Sequence, residues 1–157
     1  MSAPNRIYTD LNNLNVWLFV YGTLMDPEKA ERIFKRKPKA KIAFLPGYEV
    51  VFNKEGMGLG NPNIKPGKGV WGVVYEVDDR DLQKLDRISP KYERKLVKVL
   101  VDGEECDAWV YIAKPEFTDD NLKPDRSCIE RMIKGAKFHG LPKEYISWLE
   151  SLLKSIQ

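Results

Sequence analysis

Carboxylates are the groups in this sequence best suited to moving protons. Glu55, Glu76, Asp86 and Glu93 stand near the ends of apolar, strand-like runs, from which a side chain can reach a pocket or simply lie solvated at the surface. Few other groups compete. The sole histidine, His139, comes near the end of a helical segment, where capping or exposure is its ordinary use, and no G-x-S-x-G occurs, so a nucleophilic triad lacks its parts. Cys106 and Cys128 have no C-x-x-C spacing and, with one histidine, cannot make up the common zinc sets. They read as buried free thiols without chemistry, and nothing in the sequence requires a metal or a cofactor.

The second chemical feature is the stretch Val16 to Pro27. Five apolar residues, Val16 to Val20, fit a strand buried on both faces, and Tyr21-Gly22-Thr23-Leu24 follows before the helix-start signal Asp26-Pro27. A small-residue turn at a strand's exit leaves the N–H groups of Gly22, Thr23 and Leu24 free to point at an anion or oxyanion, with the next helix adding positive potential. An ordinary strand-to-helix turn has the same residues, so the cradle and the plain turn both stay open here.

The elements around these residues follow from patterning. Residues 1–14 read as a loose arm, and 15–157 as one domain. A helix is expected over about 27 to 36. Lys39 to Leu45 and Tyr48 to Asn53 suggest two strands joined at Pro46-Gly47 and pairing with the first strand. From Lys54 to Gly69 glycine and proline are so frequent that a long loop is expected. Its glycines match neither a Walker loop nor a dinucleotide fingerprint, because Pro62, Gly69 and Asn63 fall where those motifs need other residues. Gly69 to Val77 is a second strong strand whose Gly72 marks a bulge or a close backbone approach. Asp78 and Asp81 cap a short helix carrying Leu82 and Leu85. Tyr92–Val101 and Glu104–Ala113 form a hairpin on Asp102-Gly103. Helices over Arg126–Phe138, closed by Gly140, and from Leu141 to about Leu153 end the chain. The order is that of an α+β domain around a mixed, largely antiparallel sheet.

Composition narrows the function classes. With 157 residues, 43% of them hydrophobic and 31% charged, the chain has the balance of a soluble globular protein. No apolar run approaches the ~18 residues of a membrane span, and the first fourteen residues lack a signal-peptide core, so a cytoplasmic protein is expected. Net charge is +3, and the basic cluster Lys35, Arg36, Lys37, Lys39 and Lys41 has no interleaved aromatics, which reads as a solvated face rather than a nucleic-acid groove. The expected partner is a small molecule, with an oligomer left open.

Three blocks in order carry a family resemblance: Tyr21-Gly22-Thr23-Leu24 after an apolar strand, Val70-Trp71-Gly72-Val73-Val74-Tyr75, and Leu82-x-x-Leu85-Asp86. Together they resemble the gamma-glutamylcyclotransferase (AIG2-like) family. Gly135 to Tyr145 is similar to the C-terminal segment of its eukaryotic members. The resemblance implies a barrel-like sheet with flanking helices and a pocket for a gamma-glutamyl group, held by the turn Tyr21 to Leu24, with Tyr92 also in the pocket. It implies a reaction in which the substrate's α-amine attacks its own γ-carbonyl and releases 5-oxoproline.

The sequence departs from that family at the base. The family's glutamate stands three residues after the Leu-Asp aspartate, and here that position is Ser89, with no Glu between Asp86 and Tyr92. A serine hydroxyl is not basic near neutral pH without a helper. Three readings stay open: Glu93 substitutes as base, the fold binds a small gamma-glutamyl compound without turning it over, or it serves protein interactions with a residual pocket. Strand alternation sets Glu93 opposite Tyr92, which weighs against the first.

Overall fold

The computed structural model describes residues 15–156, so the arm read at 1–14 lies outside the described residues. In chain order the elements are β1 (Val16–Val20), a 3-10 turn (Thr23–Met25), α1 (Pro27–Phe34), β2 (Ala40–Leu45), β3 (Tyr48–Gly56) and β4 (Leu59–Pro66). There follow β5 (Val70–Val77), α2 (Asp79–Ile88), β6 (Tyr92–Val101), β7 (Glu104–Ala113), α3 (Arg126–His139) and α4 (Lys143–Ser155). Five strands close into a barrel in the order β1-β5-β2-β6-β7, and β3 and β4 form a separate two-stranded sheet. All barrel pairings are antiparallel except β1 with β7, where Leu18 faces Trp109 in parallel register. The architecture is the expected α+β fold with a mixed, mostly antiparallel barrel.

Trp17 to Val20 are all buried, as a strand covered on both faces requires. Gly72 explains how β5 comes so close: a Cβ there would stand 2.3 Å from the Val20 carbonyl oxygen and 2.8 Å from the Phe19 ring. The close approach expected of that glycine is therefore to the strand that carries the turn.

Two expectations are corrected. The strands on either side of Pro46-Gly47 do not pair with β1, whose edges are taken by β5 and β7; β2 lies between β5 and β6, while β3 leaves the barrel. Barrel closure leaves β1 no free edge. The second concerns Lys54 to Gly69, which is a hairpin rather than a loop. Met57 (φ 52°) and Gly58 (φ 84°) both take left-handed conformations, the backbone of a two-residue hairpin turn. Pro62 and Pro66 are tolerated because β4 pairs within its sheet on one side alone, so an N–H can be spared. Gly60 is required by packing, since a Cβ would lie 2.0 Å from the Phe52 carbonyl oxygen.

Helix caps fix what surrounds the turn. The Asp26 carboxylate accepts from the Glu28 N–H at 3.0 Å with Pro27 in the first turn, and Asp78 with Asp81 forms a capping box on α2. Gly140 (φ 80°) closes α3 in the left-handed conformation. Helix α3 then packs directly on the 3-10 turn: a Cβ on Gly135 would sit 2.4 Å from the carbonyl carbon and oxygen of Met25. Backbone cannot yield there as a side-chain tip can. Gly135→Ala is expected to destabilise the protein by about 1–3 kcal/mol, read as a lower urea midpoint at unchanged slope.

Candidate active site

The turn after β1 opens onto a cleft of about 620 Å³. Tyr21, Gly22, Thr23, Leu24, Ser89 and Tyr92 all border it, although they come from the β1 exit, the end of α2 and the start of β6. Glu93 does not. It is exposed and borders a shallower depression with Asp86, Arg94 and Trp109, as alternation along β6 requires once Tyr92 faces the cleft.

Hydrogen bonds hold the turn from behind. The Tyr75 hydroxyl donates to the Leu24 carbonyl at 2.8 Å, and His139 Nε2 lies 3.1 Å from the Met25 carbonyl. His139 is thus half-buried and occupied in capping the turn, and burial lowers its pKa against the opposing effect of the Met25 bond. Thr23 and Leu24 begin the 3-10 turn, where N–H groups have no partner within the turn. The walls are tyrosines whose hydroxyls are spent on the scaffold. Tyr21 donates to the Tyr111 carbonyl at 2.7 Å and Tyr92 to the Pro62 carbonyl at 2.8 Å. Burial pushes both phenols up, so neither ionises near neutral pH.

Asp86, the aspartate of the Leu-Asp pair, is also a scaffold group. It accepts from the Tyr111 hydroxyl at 2.7 Å and from Arg94 Nε and Nη2 at 2.9 and 3.0 Å. Desolvation would raise its pKa, but the Arg94 and Tyr111 bonds outweigh it and hold the carboxyl below its ordinary range. The carboxylate closest behind the turn, Asp26, is buried, caps α1 and lies 3.4 Å from both Arg131 and Lys134.

Among the described residues, no Asp or Glu borders the cleft, whereas Lys29, Arg32, Lys54 and Arg131 do. Lys29 is half-buried, and its Nζ donates to Thr23 Oγ1 at 2.5 Å. Its pKa is lowered from 10.5 by burial first, then by the charges of Arg131 and Arg32, with Cys128 and Asp26 acting the other way. Lys54 Nζ stands 5.5 Å from the centre of the Tyr92 ring, and burial followed by Lys91 lowers its pKa.

The two thiols differ. Cys106 is buried as expected, but Cys128 is half-buried and borders the cleft from α3. Burial, then Asp125, pushes its thiol up to about 11. At pH 8 iodoacetamide should therefore label Cys128 about 10²-fold more slowly than a free thiol, measured by peptide mapping; labelling at the free-thiol rate would show that the site is not desolvated.

Patterning in the sequence did not single out Lys29, Arg32, Lys54, Cys128 or Arg131 as site residues. A signal exists in part, since Lys29 and Arg32 are three apart on α1 and Cys128 and Arg131 three apart on α3, so each pair shares a helix face. What no spacing reveals is that the two faces meet over the turn.

Comparison with known proteins gives the family and the fold. The sequence model described as "Gamma-glutamyl cyclotransferase, AIG2-like" matches residues 18–131, which include the turn, Ser89, Tyr92 and all four cations of the cleft. A curated Gamma-glutamylcyclotransferase from Bos taurus is 28% identical over 151 residues, covering 85% of this chain and 77% of its own. A solved structure titled Gamma-glutamyl cyclotransferase superposes with a TM-score of 0.76 at 25% identity, over 87% of each chain. An uncharacterized protein from Homo sapiens superposes with a TM-score of 0.73 at 27% identity, also over 87% of each. With a match over most of its length and the same barrel beneath it, the chain belongs to the gamma-glutamyl cyclotransferase, AIG2-like family.

Proposed function

We propose that this protein cyclises a gamma-glutamyl amine or amino acid to 5-oxoproline, with Lys29 as the proton acceptor. The observation that carries the reading is that the turn Tyr21 to Leu24 and position 89 border one cleft. N–H groups of the turn serve the developing oxyanion on the γ-carbonyl, and the substrate supplies its own nucleophile, so ring closure brings the reacting atoms together. The α-ammonium loses a proton to the neutral Lys29 amine, the α-nitrogen bonds to the γ-carbon, and the bond from that carbon to the departing nitrogen breaks. As that bond breaks the proton held by Lys29 passes to the departing nitrogen, and the second proton, left on the ring nitrogen, is taken up by the released amine, which leaves as an ammonium. Support for Lys29 is its place: it is desolvated, surrounded by cations and bonded to the hydroxyl of Thr23 in the turn.

Glu93 takes no part in this reading, because its side chain is outside the cleft lining. Glu93→Gln is expected to keep turnover within about twofold of the parent; a loss of a hundredfold or more would return the proton to Glu93. The reading itself is tested by incubating the purified protein with gamma-glutamyl amino acids and amines and measuring 5-oxoproline by chromatography. Release that depends on enzyme concentration is the expected result. Saturable heat of binding without release would instead make it a binding protein on the same fold.

A further inference from the structure

With Lys29 assigned to the proton, three cations of the cleft have no function yet. Arg32 comes from α1, Lys54 from β3 and Arg131 from α3, so the charge converges from three elements. Lys29, Tyr92 and the Cys128 thiol border the same cleft as these three cations. Among the described residues, neither Arg32 nor Lys54 has a carboxylate within ion-pair distance, and Arg131 reaches Asp26 only at 3.4 Å, a carboxylate it shares with Lys134.

Guanidinium groups do not lose their protons as a buried lysine can, so an anion that enters the cleft meets a fixed positive field. A gamma-glutamyl head brings one carboxylate and one ammonium and is neutral as a whole. A charge that complements this field comes from the other half of the substrate. We propose that the amine half is an acidic amino acid, whose two carboxylates are held by Arg32, Arg131 and Lys54; the proposal rests on the gamma-glutamyl reading above. Arginine favours carboxylates through paired N–H donors, and about 620 Å³ is within the range that takes a ligand of dipeptide size.

A matched series tests it. gamma-Glutamyl-glutamate, gamma-glutamyl-glutamine and gamma-glutamyl-lysine are close in size and step through charge. We expect the glutamate compound to have a KM about tenfold below that of the glutamine compound, with lysine weakest, and the gap to narrow between 50 and 500 mM salt. Arg32→Gln, an exposed position that should not disturb folding, should raise KM for the glutamate compound more than for the glutamine one and so close the gap. Equal KM values for the glutamate and glutamine compounds would overturn the acidic preference and leave the cyclisation reading standing. No binding or turnover of any of the three would overturn both.

Discussion

Replacing Lys29 by methionine is expected to lower 5-oxoproline release by about 10²–10⁴-fold, the span ordinarily lost with a positioned general base, while KM changes far less. The reaction cannot begin until the substrate's α-ammonium gives up a proton. Around the turn the carboxylates are engaged elsewhere: Asp26 caps α1 and faces Arg131 and Lys134, and Asp86 holds Tyr111 and Arg94. Burial pushes the tyrosines up, and the Cys128 thiol to about 11, so their basic forms are scarce. Lys29 moves in the useful direction. A group that acts as a base must be deprotonated, so activity rises with pH through the pKa of Lys29, and burial with Arg131 and Arg32 brings that rise below the position of an ordinary lysine, against the opposing effects of Cys128 and Asp26. Lys29→Arg separates the base from a mere charge. Arginine keeps the cation but does not release its proton, so it should be as inactive as methionine; retained activity in Lys29→Arg would end the claim that Lys29 moves a proton.

How much of this was legible follows from which forces are local. Asp102-Gly103, the Asp78 and Asp81 cap and the left-handed Gly140 are contacts between near neighbours, and all three stand in the structure as the residues indicate. The Met57-Gly58 turn was hidden because methionine is not a residue associated with a left-handed backbone, and the prolines of β4 disguised a strand whose one partner strand among the described residues is β3. Pairing order is less local still. That β1 lies between β5 and β7 depends on closing the barrel, a condition on all five strands at once.

The site divides along the same line. The turn was readable as a strand's exit because that is a property of consecutive residues, whereas Tyr92 entered through the family resemblance and alternation added only that Glu93 faces the other way. The cations were not, because Lys29 and Arg131 meet only after α3 has packed on the turn through Gly135, whose lack of a side chain lets the helix lie against Met25. In sequence, the basic run from Lys35 to Lys41 looked denser than these dispersed charges. In the structure none of that run borders the cleft, and Arg36 pairs with Asp81 at 2.8 Å.

Placing a carboxylate at position 89 should restore what Lys29→Met removes. Ser89 sits just past α2, its N–H donating to the Leu85 carbonyl and its carbonyl accepting from Tyr92, so its backbone is fixed while its side chain is at the cleft. Serine itself is too weak a base to help. In Lys29→Met, adding Ser89→Glu is expected to recover at least about tenfold of the lost activity, with a profile that rises near the range of a carboxylate rather than that of an amine. The surrounding Arg32, Lys54 and Arg131 stabilise the ionised form and so pull that rise to lower pH, at some cost in basicity. With Lys29 still present the same substitution should act the other way. A carboxylate introduced by Ser89→Glu and facing the Lys29 ammonium favours its charged form, so the activity of the single variant should move to higher pH. Opposite shifts in the two backgrounds require that position 89 and Lys29 act on one proton. A double variant as inactive as Lys29→Met would place Ser89 out of reach of the reacting amine.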